Sequence, residues 1–350
     1  MRKFILVREP APIWFGPMIP IIAIVATFII TAIFVMIAGA NPFDAYYQFL
    51  VAPLSNKVSA IEVLVKSTPI IMTGIAVTVA FSAGYWNIGA EGQLLAGAIA
   101  AAGIGMVVDK LPAYVAIPCM ILGGFLAGVS WALLPAYLKV KHAVDEVVTT
   151  LLMNTIILFF ISFLLNGIWR DPISGWPQSP TIAASAVFPT FLPRSRLHIG
   201  FILAVIVVIL VWYLLTQTAF GLRMRAIGLG RDAAKFAGVK VTRTMFIAAL
   251  LSGGIAGLAG VGEVAGIHFH LIEAISSGLG YTGIIVATLG GINPIGSGVA
   301  ALFIGLIDTG AQTVSRALGV PIYLGDVVQS TLLLVTLSML LLRNYHIKRV

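Results

Sequence analysis

The chain has almost no cysteine: Cys119 is the single one in 350 residues. That excludes an internal disulfide and any multi-cysteine metal site, and a lone cysteine in an apolar run is a small filler side chain. Charge is scarce too. Asp, Glu, Lys and Arg make up 10% of the chain, against about 25% in a soluble domain. So few charges cannot coat a water-facing surface of ordinary size. With 59% hydrophobic residues and a mean hydropathy of +1.05, the hydrocarbon of a bilayer must cover the rest. No Gly-Lys dipeptide occurs, so a Walker A loop is excluded, and HExxH, GxSxG and paired-cysteine motifs are missing as well. No catalytic residue and no metal ligand is assigned; His268 and His270 stand two apart and are not partners on a helix. No basic run carries interleaved aromatics of the kind that grips a nucleic-acid strand. No long polar linker separates soluble units, so residues 1–350 read as one transmembrane domain.

A spanning helix needs about 20 mostly apolar residues. Such runs cover 18–38, 61–82, 92–108, 112–137, 143–167, 199–216, 243–262 and 324–342. The apolar stretch 279–316 is interrupted by Gly290-Gly291-Ile292-Asn293-Pro294-Ile295-Gly296 and splits into a short span, 279–290, and a longer one, 297–316. The fold class is therefore all-α integral membrane, with about ten transmembrane helices, some of them broken. The run from Met18 to Ala38 is longer than a secretory h-region of about 7–15 residues and reads as a retained first helix.

Ten spans put both termini on one side. That side holds Arg2, Lys3 and Arg8, then Lys139 and Lys141, then Arg223, Arg225, Arg231, Lys235, Lys240 and Arg243, and finally Arg343, Lys348 and Arg349. These are 14 of the 21 basic residues, which makes that side cytoplasmic by the positive-inside rule and accounts for the net charge of +8. Residues 1–17 are then a cytoplasmic N-terminus, and 168–198, rich in Pro and Ser, is the long loop on the far side. The segment 41–60, with Tyr46 and Tyr47, reads as interfacial. Gly124 with Gly128, and Gly253 with Gly257, show the small-xxx-small spacing that lets helix backbones approach in lipid.

The largest cytoplasmic segment is 217–243. Gly228 and Gly230 discourage a continuous helix before Arg231. From Arg231 to Ala237 the residues favour helix, Asp232 complements the dipole in the first turn, and Gly238 follows as the C′ residue. The result is a two-turn helix, about 10 Å long, bearing Phe236 and Ala233 on one side. Two readings stand: a solvated connector that holds positive charge inside, or a knob that docks into a groove of another protein.

Asp232-Ala233-Ala234-x-x-x-Gly238 resembles the Glu-Ala-Ala-x-x-x-Gly loop of ABC importer permeases, with Asp in place of Glu; of the Ile-x-Leu-Pro that follows in the family, Ala248-Ala249-Leu250-Leu251 keeps the Leu. The stretch Tyr85-Trp86-Asn87-Ile88-Gly89-Ala90-Glu91-Gly92-Gln93 is similar to the Phe-Asn-Ile-Gly-x-Glu-Gly-Gln motif of the branched-chain amino acid/monosaccharide class of those permeases, with Trp86 in place of Phe. Leu289-Gly290-Gly291-Ile292-Asn293-Pro294-Ile295-Gly296 resembles a third element of that class. The likeness runs from about residue 60 to 340 and points to the nucleoside and simple-sugar branch served by basic-membrane-lipoprotein receptors.

The resemblance implies an ABC importer permease fold and several partners. A cytoplasmic ATPase would carry ATP and Mg, with no cofactor in this chain itself, and would dock at Arg225, Arg231, Asp232, Ala233, Ala234, Phe236 and Gly238. A second permease subunit, usually a different chain, would complete the pore. A periplasmic or lipid-anchored binding protein would deliver a nucleoside or simple sugar, and the setting would be the bacterial cytoplasmic membrane. The rival is a self-contained secondary transporter or channel for a small polar solute.

A carboxylate at the bilayer centre costs about 2.5–3.5 kcal/mol on insertion scales, and irregular backbone at that depth survives only where it lines a cavity or is buried in protein. Asn87, Glu91, Gln93, Asn293 and Asp308 are therefore the translocation-path candidates. Glu91 has an alternative as a helix-start or internally paired carboxylate, Asn293 as a turn former before Pro294, and Asn154 as interhelical glue. The breaks at 85–93 and 290–296 are expected at the cytoplasmic ends of their spans, facing one another. Asp308, Gln312 and Arg316 share a helix face, which leaves two readings: an internal relay from Asp308 to Arg316 through Gln312, or an Arg316 that simply marks the outer interface.

Overall fold

A computed structural model describes residues 4–7, 15–192, 195–344 and 346–349. Arg2, Lys3 and Arg8 lie outside the described residues. Ten helices occupy the ten expected spans. They are α1 (Phe15–Ile37), α4 (Lys57–Ser82), α5 (Ala90–Val107), α6 (Ala113–His142), α7 (Glu146–Asn166), α8 (Gly200–Gln217), α11 (Val241–Gly262), α12 (Leu279–Leu289), α13 (Pro294–Leu318) and α14 (Leu324–Asn344). Eight are long and apolar enough to cross a membrane, while α12 and the described apolar part of α14 are shorter. Between α1 and α4 lie α2 (Pro42–Leu50) and α3 (Ala52–Ser55), and between α8 and α11 lie α9 (Ala219–Leu229) and α10 (Arg231–Phe236). The two described ends, β1 (Phe4–Val7) and β2 (His346–Arg349), pair antiparallel with Phe4 opposite Arg349, so both termini share one face of the bundle. This is the terminal face of the bundle.

Helices α4 and α11 form the interior, whereas α1, α6, α7 and α8 turn most of their apolar surface outward. Ile29, Phe159 and Leu152 on these outer helices are exposed, which suits lipid. The interior is closely packed because backbones touch. A Cβ on Gly97 of α5 would sit 2.1 Å from the Gly257 carbonyl oxygen of α11, and one on Gly128 of α6 would sit 2.1 Å from that of Gly253. The small-xxx-small spacing thus seats α11 between α5 and α6.

The hydroxyls of α4 turn back on their own helix. Ser67, Thr73, Thr78 and Ser82 each donate to the carbonyl four residues earlier, at 2.7–3.1 Å. Thr73 also reaches the Leu279 carbonyl of α12 at 3.0 Å, and the Thr78 hydroxyl meets Ser297 of α13 at 2.8 Å.

The segment 41–60, expected to be interfacial, forms α2, α3 and the first turn of α4. Asn41 caps α2 by accepting the Phe43 N–H. Phe49 is buried against α13, where the Phe49 carbonyl oxygen would lie 2.3 Å from a Cβ on Gly310; Phe43 and Tyr47 face outward.

On the face away from the termini, His198 sits just before α8. Its ring is wedged between Gly200 and Gly266, with Cβ atoms on either bound to clash with it, and lies 5.7 Å from the Phe188 ring. Its Nδ1 accepts the Gly200 N–H at 3.1 Å. Burial lowers its pKa to about 4, so the imidazole is neutral at neutral pH.

Candidate functional site

The polar stretch at 85–93 begins where α4 stops. Gly84 takes a left-handed conformation, φ +66°, and the chain doubles back into the bundle. Asn87 donates to the Ser252 hydroxyl at 2.9 Å, and that hydroxyl donates to the Ala76 carbonyl at 2.6 Å. Ala76 lies six residues before the end of α4, so Asn87 is about 9 Å inside that end. Asn87 and Gln93 bond each other amide to amide, at 2.8 and 3.2 Å, and Asn87 also accepts the Gly89 N–H. All of these groups are buried, and their hydrogen bonds go to one another, as burial requires.

Glu91 sits in the first turn of α5 and is 3% exposed. Its Oε2 accepts the backbone N–H of Gly280 at 2.7 Å. The Ser276 hydroxyl and the Gly278 amide face the same carboxylate, the hydroxyl outside hydrogen-bond geometry. Gly280 is the second residue of α12, and a Cβ there would lie 2.1 Å from the Glu91 nitrogen. Glu91 therefore meets the positive end of a helix other than its own. Helix α12 starts at the level of Thr73, about 13 Å from the end of α4, because residues 269–278 enter the bundle without forming helix.

These placements correct the expected layout in three respects. Asn87 and Glu91 lie inside the helix bundle rather than level with the end of α4, because the chain returns alongside α4. The break opposite Glu91 is 269–278; 290–293 is a tight turn in which Gly290 packs on Ser297 and Asn293 caps α13 by accepting the N–H groups of Ile295 and Gly296. Asp308 bonds Lys66 of α4 at 2.6 Å instead of relaying to Arg316, whose side chain is exposed. The run Ser276-Ser277-Gly278 before α12 was the available signal for the missed break.

A cavity of ≈ 380 Å³ opens on the side of this crossing away from the termini. Its walls carry the pair Lys66–Asp308, the pair Glu62–Arg196, and Glu263 with His268 at 3.6 Å. Ser277 and Leu279, from the break that covers Glu91, lie at its base. Most of its charged groups stand in opposite-sign pairs, so the cavity is polar without a large net field.

Helix α7 runs beside the 85–93 stretch and holds it at successive turns. Glu146, Thr150 and Asn154, four residues apart and all buried, share one face. The Trp86 N–H donates to Glu146 Oε1 at 3.4 Å. A Cβ on Gly89 would touch the Thr150 Cβ at 3.0 Å. Asn154 accepts the Gly92 N–H at 2.9 Å and donates to the Ile88 carbonyl at 3.0 Å and the Tyr281 hydroxyl at 3.1 Å. Asn154 thus bonds across helices as expected of glue. Glu146 was missed, since its sequence surroundings do not set it apart from the adjacent Asp145, which only caps α7.

The short helix on the terminal face is α10, closed by Gly238 at φ +82°. Phe236 is 97% exposed and Leu229 92%; Arg225, Arg231, Asp232, Ala233 and Gly238 are exposed as well, while Ala234 is buried. As the two glycines lead one to expect, no continuous helix runs into Arg231: the chain breaks at Gly230, while α9 itself continues through Gly228. The missing side chain there lets α9 lie on the end of α4, where a Cβ would sit 2.6 Å from the Ser82 carbonyl oxygen. Arg231 donates to the Gly84 carbonyl and stands 3.7 Å from Glu146, which also pairs with Lys139. The short helix is thereby bonded to the polar stretch.

The profile of the family described as branched-chain amino acid transport system / permease component matches residues 59–337. The chain is 31% identical to the glucose ABC transporter permease protein TsgB13 of Haloferax volcanii, over 97% of this chain and 92% of that one. It is 31% identical to the nucleoside ABC transporter permease protein NupB of Lactococcus lactis, over 90% and 89%, and 31% identical to the guanosine ABC transporter permease protein NupP of Bacillus subtilis, over 92% and 93%. No solved structure matches the chain.

Proposed function

The chain belongs to the permease component family of branched-chain amino acid transport systems, and from that membership we propose an importer whose cargo is a nucleoside or a simple sugar. The cargo reading rests on the relatives named for glucose, nucleosides and guanosine. A separate ATPase with ATP and Mg docks on α10 through Phe236, Ala233, Asp232, Gly238 and the flanking Arg225 and Arg231. A second permease, a different chain, completes the pore, and a periplasmic or lipid-anchored protein delivers the cargo. The terminal face is cytoplasmic and the membrane is the bacterial inner membrane.

Cargo passes the Asp308–Lys66 wall of the cavity and meets the break at Ser277–Leu279, with Glu91 beneath it. Asn87 and Gln93 hold the opposing break, and Asn293 caps the turn toward the inner mouth. The observation that carries the reading is the bonded run from an exposed knob, Phe236 on α10, through Arg231 to a chain break inside the bundle. A self-contained secondary transporter has no use for such a knob. The test is reconstitution with and without the ATPase and binding protein. ATP-driven uptake of a nucleoside or sugar is expected only with both; ion-gradient-driven uptake by the chain alone would favour the rival.

A further inference from the structure

Residues 82–86 are held from two directions at once. From the terminal face, α9 lies on Ser82 at Gly228, and Arg231 of α10 binds the Gly84 carbonyl. From α7, Glu146 accepts the Trp86 N–H. Arg231 and Glu146 also face each other at 3.7 Å. The Glu146 side chain is 4% exposed, and its two oxygens serve different elements. Oε1 takes Arg231 of α10 and the Trp86 amide, while Oε2 takes Lys139 at the end of α6. Five residues beyond Trp86, Glu91 holds the start of α12.

We infer that Glu146 is the joint that carries movement of α10 to the 84–91 break, a positioning residue for transport that touches neither ATPase nor cargo. The inference rests on the docking of an ATPase at α10. If α10 is pulled, Arg231 moves with it, and the shared carboxylate ties that motion to the Trp86 backbone. One carboxylate facing two cations makes the joint sensitive to its charge. Without that charge, Arg231 and Lys139 would repel each other and Trp86 would lose its anionic acceptor. A plain α6–α7 clamp would need only the Lys139–Glu146 pair.

The two roles separate in the reconstituted importer, with ATPase copurification, ATPase stimulation by loaded binding protein, and uptake read in parallel. Glu146→Gln should copurify with the ATPase while uptake falls about tenfold, within the range by which residues remote from both sites alter coupling. Glu146→Asp, which keeps the charge one methylene further back, should retain an intermediate rate. The exchange Lys139→Glu with Glu146→Lys restores the α6–α7 pair but repels Arg231 and cannot accept from Trp86, so uptake should stay low. Wild-type uptake in the exchange variant, or in Glu146→Gln, would overturn the inference. If Glu146→Gln cannot be recovered from the membrane, Glu146→Asp and the exchange decide by the same criteria. Loss of uptake together with loss of ATPase copurification in Glu146→Asp and the exchange would also overturn it, since Glu146 would then act in docking. Failure of the wild-type chain to bind any ATPase would instead remove the function proposed above.

Discussion

The Glu91 carboxylate accepts the Gly280 backbone N–H at 2.7 Å across 189 positions of sequence, and so joins the start of α5 to the start of α12. Each helix begins inside the bundle, and each supplies what the other lacks. The carboxylate meets a helix N-terminus, and the N-terminus meets an acceptor. Replacing Glu91 by Gln removes the charge and keeps an acceptor, so the solubilised protein should lose about 1 kcal/mol, the size of a charge–dipole contact. Glu91→Leu leaves the N–H unpaired and should lose about 1–3 kcal/mol. Equal melting of Glu91→Leu and wild type would show that the contact does not hold the crossing.

Phe236 is nearly fully exposed on α10, so its removal creates no cavity. Phe236→Asp should leave melting unchanged within about 0.5 kcal/mol, as surface substitutions do, while copurification of the ATPase is lost. Intact copurification would place the docking surface elsewhere.

Gly97 and Gly257 cross with no room for a side chain between α5 and α11. Gly97→Ala should destabilise by at least the 1–3 kcal/mol typical of overpacking, seen as lower yield and earlier melting. Gly262→Ala, in the same apolar setting with open space at its Cβ position, should be close to neutral. Equal tolerance at both sites would contradict the packing described.

His198 stays neutral because it is buried, its pKa lowered from 6.5 to about 4. Folding favours the neutral ring, so this contribution is complete above pH 6.5 and is lost as the pH falls from there toward 4. Its full size, about 3 kcal/mol, follows from the shift. Melting of wild type measured against His198→Gln should converge as the pH is lowered through this window. A constant difference between them would mean that the ring is not held neutral.

Hydropathy and glycine placement made much of the fold legible. The ten spans follow from apolar run length, and Asn87, Glu91 and Gln93 mark a break because no continuous lipid-facing helix tolerates them. What escaped is set by distant neighbours. Glu146 meets Trp86 60 positions away, and nothing in its own surroundings, Val144-Asp145-Glu146-Val147, announces two cations and a backbone amide. The break at 269–278 escaped for a different reason. Its mixture of apolar and polar residues is also that of an ordinary surface loop, and only the arrival of Gly280 at Glu91 shows that it descends into the bundle.

The hydroxyls of α4 that fold back on their own carbonyls bear on how the protein is made. Helix α4 leaves the ribosome early, whereas α11, α12 and α13, which will surround it, are still unsynthesised. A nascent span bearing unpaired polar groups would be costly to leave in lipid. Ser67, Thr73, Thr78 and Ser82 each bond within α4, so these four hydroxyls are satisfied while the helix waits in the membrane. When the later spans arrive, Thr78 can accept from Ser297 while still donating to Gly74, and Thr73 shares its single proton between its own helix and the Leu279 carbonyl. The hydroxyls of the central helix thus suit both of its successive environments, the lipid of an unfinished chain and the interior of a finished one.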